Sequence, residues 1–357
     1  PFALVNQNFT SATDVYNVAV GYDAGVSVTT GIQNTLIGGL AGDALTDADY
    51  NVVVGTSALS ADTLGSTSIG IGVLALAEQN FTSATDVYNV AIGFRAGEKV
   101  TTGTENTLIG GLAGDAITTA SDNVAVGYGS LGVNTTGALN VAVGSLALDA
   151  NTTASFITAV GEKALSANTT GQKNNAFGFY ALKLNTTGSQ NIAIGHSTMA
   201  ANTTGAFNSA VGFKSLRFNV VGSNNTAFGS YALHYNTTNN NSAFGHYALY
   251  TNTIGVRNVA VGSRSLRLNT TGSYNTAVGY ESLASNTVSN NSAFGYTSLY
   301  NNTTGTSNSA FGFQSLVTNT TGGLNSAFGF QSLVLNTTGS SNNAFGYKAL
   351  YANTIAV

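Results

Sequence analysis

Small and large residues alternate along a short phrase, Asn-x-Ala-(Val/Ile/Phe)-Gly, which recurs twenty times with some drift. Asn17–Gly21, Asn191–Gly195 and Asn325–Gly329 are three copies. The phrase glycines include Gly21, Gly38, Gly55, Gly93, Gly178, Gly195, Gly212, Gly279 and Gly329. They are spaced by 17 residues in sixteen of nineteen intervals, by 16 in two and by 21 in one. A period this short predicts a solenoid with one repeat per rung, because a lone rung cannot bury its own apolar face.

Residues 174–190 serve as the type rung. Asn175-Ala176-Phe177-Gly178-Phe179 predicts a strand with Ala176 and Gly178 on one face and Phe177 and Phe179 on the other. The small face allows close approach of another backbone. Ala181-Leu182, repeated as Ala232-Leu233, Ala248-Leu249 and Ser315-Leu316, predicts a second short strand whose Leu fills the interior. Asn185-Thr186-Thr187-Gly188 supplies turn chemistry, since Asn bonds nearby backbone and Gly tolerates positive φ. Two strands and two turns per rung predict an all-β parallel solenoid of the β-roll type, with a triangular coil as the alternative. Stacked rungs place identical residues about 4.8 Å apart, so twenty of them predict a rod on the order of 95 Å long. The Asn, Thr and Leu columns then become ladders.

The 21-residue interval contains Asn80–Asp86, a phrase also present at Asn8–Asp14, and predicts a loop protruding from the rod. Near-duplicate blocks 8–59 and 80–131 mark a four-rung superunit expanded by duplication. No linker interrupts the pattern, so residues 1–357 read as one continuous solenoid. By alignment with later rungs, the chain is expected to begin inside a rung at Pro1 and end inside another at Val357.

Composition narrows the function. Apolar residues make up 43%, enough for a continuous core, whereas charged residues are only 7% against about 25% in an ordinary soluble domain. So poorly charged a surface predicts self-association. With no cysteine, the chain has neither a disulfide framework nor a thiolate site. No apolar run is long enough to span a membrane as a helix. Charge is also segregated: residues 1–162 carry fourteen acids and two bases, a net of −12, and residues 163–357 carry nine bases and one acid, a net of +8. An acidic half and a basic, Phe-rich half predict head-to-tail association of copies into filaments. The bases are too dispersed to predict nucleic-acid binding.

Catalytic chemistry has no foothold in the sequence. No Ser-His-Asp grouping, paired carboxylate or phosphate-binding loop is present, and no catalytic residue, cofactor or metal is expected. His196, His234 and His246 are the only histidines. His196 and His246 share a rung position but lie three rungs apart, roughly 14 Å, too far for one metal to bridge. The Asn-Thr-Thr phrase is also an N-glycosylation sequon. It offers Asn134, Asn151, Asn168, Asn185, Asn202, Asn236, Asn269, Asn319 and Asn336 as candidate acceptors. The same Thr and Asn ladders suggest a second function class, a solenoid that recognises ice or a glycan. Against that stands the turn itself, where hydroxyl and amide groups satisfy the backbone.

A family resemblance rests on the phrase itself. Asn17-Val18-Ala19-Val20-Gly21, Asn89-Val90-Ala91-Ile92-Gly93 and Asn191-Ile192-Ala193-Ile194-Gly195 resemble the head repeat of trimeric autotransporter adhesins. The Asn-Thr-Thr-Gly rungs are also similar to repeats of phage tail fibres and bacterial surface fibres. The resemblance covers nearly the whole chain, although the adhesin repeat is about three residues shorter than the 17 found here. It implies a left-handed β-roll, three chains side by side, and a role as an extracellular fibre or adhesin shaft meeting a surface receptor. Independently, Phe177, Phe179, Phe244, Phe311, Phe313, Phe328 and Phe330 predict a continuous apolar stripe. A stripe of that length calls for burial between chains.

Overall fold

The computed structural model describes residues 2–10 and 12–354, so Pro1, Val357 and Ser11 of the Asn8–Asp14 phrase lie outside the described residues. The chain is an all-β parallel solenoid of about twenty turns, with no helix among the described residues. It forms two compact units, residues 1–179 and 180–357. In the first, ten three-residue strands from Val18–Val20 to Asn175–Phe177 pair in parallel. The second holds ten more, from Ile192–Ile194 to Asn343–Phe345.

Register puts like on like. Ala159 faces Ala176 and Val160 faces Phe177 in one pair, and Ala310 faces Ala327 and Phe311 faces Phe328 in another. The Ala column is fully buried, while the large residue after it points outward. Each described rung thus has one three-residue strand with Val, Ile or Phe outside and Ala inside, except where Leu36, Val53, Gly70 and Leu108 take the Ala position.

Among the described residues the expected second strand is absent. Ala181-Leu182 and its equivalents lie in consecutive tight turns, with Tyr180 at φ 58° and Leu182 at φ 51°. Ala232 N–H donates to the Gly229 carbonyl at 3.1 Å, and Asn236 N–H to the Leu233 carbonyl at 3.1 Å. Leu233 N–H nevertheless donates to Ala248 of the next rung at 3.0 Å, so stacking continues through the turns. Leu182, Leu233, Leu249 and Leu316 fill the interior as expected. Complete burial of each Leu stabilises the stack by roughly 1.5–3 kcal/mol.

The phrase glycine ends the strand for two physical reasons. Gly38 and Gly212 sit at φ 135° and 126°, a region that side chains strain to enter. A Cβ on Gly212 would also meet the Gly229 carbonyl carbon at 2.7 Å, and one on Gly38 the Gly55 carbonyl oxygen at 2.6 Å. The small face is therefore closed by the next rung's backbone.

Much of the interior is polar, and most of it is hydrogen-bonded, the Oδ1 atoms of Asn269 and Asn336 being exceptions. In one ladder, the Asn34 Oδ1 accepts from the Asn51 backbone N–H at 3.0 Å and from its Nδ2 at 3.2 Å, while the Asn34 Nδ2 donates to the Ala48 carbonyl at 2.7 Å. In the other, the Asn151 Nδ2 donates to the Asn134 Oδ1 at 2.8 Å and to the Ala154 carbonyl at 3.0 Å. Such ladders turn otherwise costly buried amides into rung-to-rung bonds.

Irregular rungs keep this frame. The two 16-residue steps lack the turn glycine, yet Thr226 still faces Ser242 and Thr276 still faces Ser292. In these rungs the Asn241 Nδ2 donates to the Asn236 Oδ1, and the Asn291 Nδ2 to the Asn286 Oδ1, each at 3.1 Å, joining the two ladders. The 21-residue step protrudes less than expected. Phe81 is buried, and Thr85–Asp86 pairs in parallel with Gly65–Ser66, so only Thr82, Ser83 and Ala84 form the exposed tip.

Candidate functional site

Three surfaces of the rung could carry function. The first is the outward face of the sheet. Phe177, Phe179, Phe244, Phe313 and Phe330 are exposed, Phe177 by 41%, and Phe311 and Phe328 are half-buried by their neighbours. In the second unit the rings stack from rung to rung, with centroids 4.6 Å apart for Phe294 and Phe311, 4.7 Å for Phe311 and Phe328, and 5.2 Å for Phe313 and Phe330. Stacking covers ring faces and leaves a column of edges outward. In the first unit Val20, Ile37, Ile92 and Ile109 occupy the equivalent column, all exposed.

The second surface is the Asn-Thr-Thr corner. All nine sequon asparagines, Asn134, Asn151, Asn168, Asn185, Asn202, Asn236, Asn269, Asn319 and Asn336, are fully buried. Their Nδ2 atoms donate within the stack, as Asn202 does to the Asn185 Oδ1 at 2.8 Å and the Gly205 carbonyl at 3.0 Å. A sugar on that nitrogen has no room in the folded rung, so these residues are ladder members and not surface acceptors. The first threonine is likewise committed: the Thr135 hydroxyl donates to the Thr152 carbonyl at 3.1 Å, and that of Thr186 to Thr203 at 3.1 Å. The second threonine, such as Thr136, Thr153 or Thr187, faces outward, and in some rungs the first is exposed as well, as at Thr303 and Thr337.

The third surface is the edge formed by the turns after the phrase glycine, where charge has a pattern. At the rung position of Lys183, the first unit has Asp43, Glu98, Asp115 and Asp149. Burial raises the pKa of Asp43, Asp115 and Asp149, against hydrogen bonding in each case and against the Arg95 charge for Asp115. The second unit has Lys183, Arg217, His234 and Arg267 at that position, interleaved with aromatic rings.

The histidines differ from one another. His196 and His246 are exposed, 5.4 Å from Phe213 and 4.2 Å from Tyr247 between ring centroids. His234 is buried among Phe218, Tyr231, Tyr235 and Tyr250, and its Nδ1–H donates to the Lys214 carbonyl at 2.8 Å. Burial lowers its pKa, with the Arg217 and Lys214 charges adding to that effect. The Tyr250 phenol beside it is pushed up to about 12 by burial first and by Tyr235 second. Among the described residues no group of three or more His, Asp or Glu is placed to hold a metal.

One buried carboxyl was not foreseen from the sequence. Asp62 occupies a position filled by Asn in later rungs and accepts from the Gln79 Nε2 at 2.7 Å, Phe81 N–H at 3.0 Å and Gly65 N–H at 3.1 Å. The Gln79 Oε1 in turn accepts from the Asn89 Nδ2 at 2.9 Å. Ser68 interrupts the first Asn ladder here, and Asp62 with Gln79 bridges the interruption. Column alignment of Asp62 and Gln79 with Asn134 was the available signal.

Comparison with known proteins gives no matching family model and no significant match among curated proteins.

Proposed function

We propose that this chain is a non-catalytic structural segment of a fibre or filament on a cell or virion surface, built by association with copies of itself and serving projection, adhesion or assembly. The observation that carries this reading is the outward sheet face, apolar in rung after rung in both units. Contiguous apolar surface on this scale is characteristic of contact sites. A three-fold arrangement of copies covers the face with closed symmetry and agrees with the resemblance to trimeric adhesin heads. Fourteen acids and four bases in residues 1–179, against seven bases and one acid in 180–357, also favour head-to-tail contact between copies. Recognition of ice or a glycan through the ladders has less in its favour, because the Asn side chains are interior and only the outer threonines remain.

Sedimentation analysis of the wild-type chain and of a Phe311→Asp, Phe328→Asp double variant tests the proposal. Trimers are expected for the wild type. Both side chains point away from the rung interior, so the variant should keep its circular dichroism and sediment as a monomer, since an unpaired carboxylate in an apolar contact costs several kcal/mol. A wild-type chain that stays monomeric at every concentration sinks the assembly reading.

A further inference from the structure

A notch interrupts the turn edge of the second unit. Tyr180, Lys183 and Leu184 form one wall and Arg217 and Phe218 the other, with Ala200 and Ala201 of the intervening rung on the floor, enclosing about 310 Å³. Its origin is one rung with small residues: Ala200-Ala201 stands where the neighbouring rungs have Lys183-Leu184 and Arg217-Phe218. Two rung spacings separate the walls, so the two cations flank a gap about 10 Å wide. The Lys183 ammonium lies 4.3 Å from the Tyr180 ring centroid, and the Arg217 guanidinium 5.0 Å from that of Phe218, which places both charges along the walls.

This volume is at the lower end of small-ligand sites, and its walls join positive charge to apolar surface. Ring faces beyond the notch are already occupied. Phe218 stacks on Tyr235 at 5.3 Å, Tyr231 on Tyr247 at 5.0 Å and His234 on Tyr250 at 5.3 Å. Within the notch the Tyr180 ring already carries the Lys183 ammonium and the Phe218 ring the Arg217 guanidinium, so neither offers a bare stacking platform to a nucleobase. What the notch presents is an alanine floor between two cation-covered rings, a fit for a saturated ring that carries an anionic group. Cations continue along the same edge at Lys214 and Arg267 and, further on, at Lys348, while Arg264 is paired with Glu281 at 3.1 Å. A polymer of charged sugars can engage several of these, and a single sugar cannot.

We infer that this edge binds an acidic polysaccharide, with one uronate or sulfated sugar seated in the notch and its anionic group held between Lys183 and Arg217. The site is independent of the apolar sheet face, so its failure and failure of the assembly reading are separable.

Calorimetry with an oligogalacturonate hexamer tests it, alongside a neutral oligoglucan of the same length and an oligothymidylate. The acidic sugar should bind, and the neutral one should not. A Lys183→Ala, Arg217→Ala variant should lose about tenfold or more in affinity, the scale of hydrogen bonds to charged groups. Ala201→Phe should give a comparable loss by filling the notch. It should fold normally, because Phe218 already occupies the equivalent position one rung on, and an unchanged melting temperature checks this. The inference is overturned by absence of oligogalacturonate binding, by equal binding in either variant, or by tighter binding of oligothymidylate. It is overturned equally if Lys183→Ala, Arg217→Ala abolishes self-association while no sugar binds, which would assign the edge to a second copy.

Discussion

The two units build the same rung and present opposite surfaces. Inside, both have the Ala column, a column of apolar residues dominated by Leu, the phrase glycine and the Asn ladders. Outside, the first places mainly Val and Ile on the sheet face, Phe177 excepted, and carboxylates along the turn edge, whereas the second mixes six Phe with Ile194, Val211, Val261 and Val278 on the face and places Lys, Arg and Tyr along the edge. The net charges that follow are −10 and +6. The fold is thus fixed by interior residues that meet the next rung's backbone, and outward positions are free to diverge. Each unit serves as a control for the other.

The largest expected effect comes from the position the units share most strictly. Gly38→Val and Gly212→Val should each destabilise their unit by more than about 4 kcal/mol, because positive φ and a backbone clash act together. Hydrogen exchange resolved by residue would compare them. Tolerance of valine in one unit and not in the other would mean that the shared interior does not fix the rung.

Breaking the ladder should cost less. Asn106→Ala and Asn208→Ala each strand partners above and below: Asn208 accepts from the Asn225 N–H at 3.0 Å and donates to the Gly222 carbonyl at 2.8 Å. Losses of about 1–3 kcal/mol are expected in both units, the cost of leaving buried groups unpaired. Thermal melting measures this, and a clear difference between the two would reveal a ladder that matters in one unit alone.

Acidity should separate the units. The carboxyls of Asp43, Asp115 and Asp149 are raised above 3.8, so their contribution to stability is complete below that value and is lost as pH rises through the folded pKa. His234 is lowered from 6.5, so the unfolded chain takes up the proton first, and stability falls as pH drops below that value towards the folded pKa. With the intrinsic pH dependence of exchange divided out, protection in the second unit should weaken as pH falls below 6.5, and protection in the first should strengthen as pH falls on towards 3.8. Asp115→Asn and His234→Gln should flatten the two responses separately.

The smallest effect belongs to the outward rings. Phe311→Val converts one position to the type found in the first unit and should cost under about 1.5 kcal/mol of stacking. A larger loss in the isolated protomer would mean that the stacked column helps to specify the rung.

Much of this was legible in the sequence because the period is strict. The rung length, the small face closed by glycine, the inward Leu and the outward Phe all follow from spacing and residue size. The number of strands did not follow. Tyr180 and Leu182 occupy positive φ, a conformation bulky residues disfavour, and no residue type announces it. The sequons were misleading for a related reason. Asn-Thr-Thr-Gly is good turn chemistry wherever it lies, and only stacking shows that the amide points inward. The notch was readable in principle, as Ala200-Ala201 aligned between Lys183-Leu184 and Arg217-Phe218, but its meaning depends on which columns share an edge.

Every departure from the 17-residue period falls at one corner. The 16-residue rungs lose their residue between Asn236 and Asn241 and between Asn286 and Asn291, and the 21-residue rung gains its residues between Gln79 and Val87. On either side of that corner the strands remain in register, Ile69 facing Val90 across the longest step. The corner works as an expansion joint: length can change there without shifting any column elsewhere. For protein engineering this makes Thr82, Ser83 and Ala84 a ready port for a foreign peptide, and the equivalent corner of other rungs a place to repeat it at a pitch set by the solenoid.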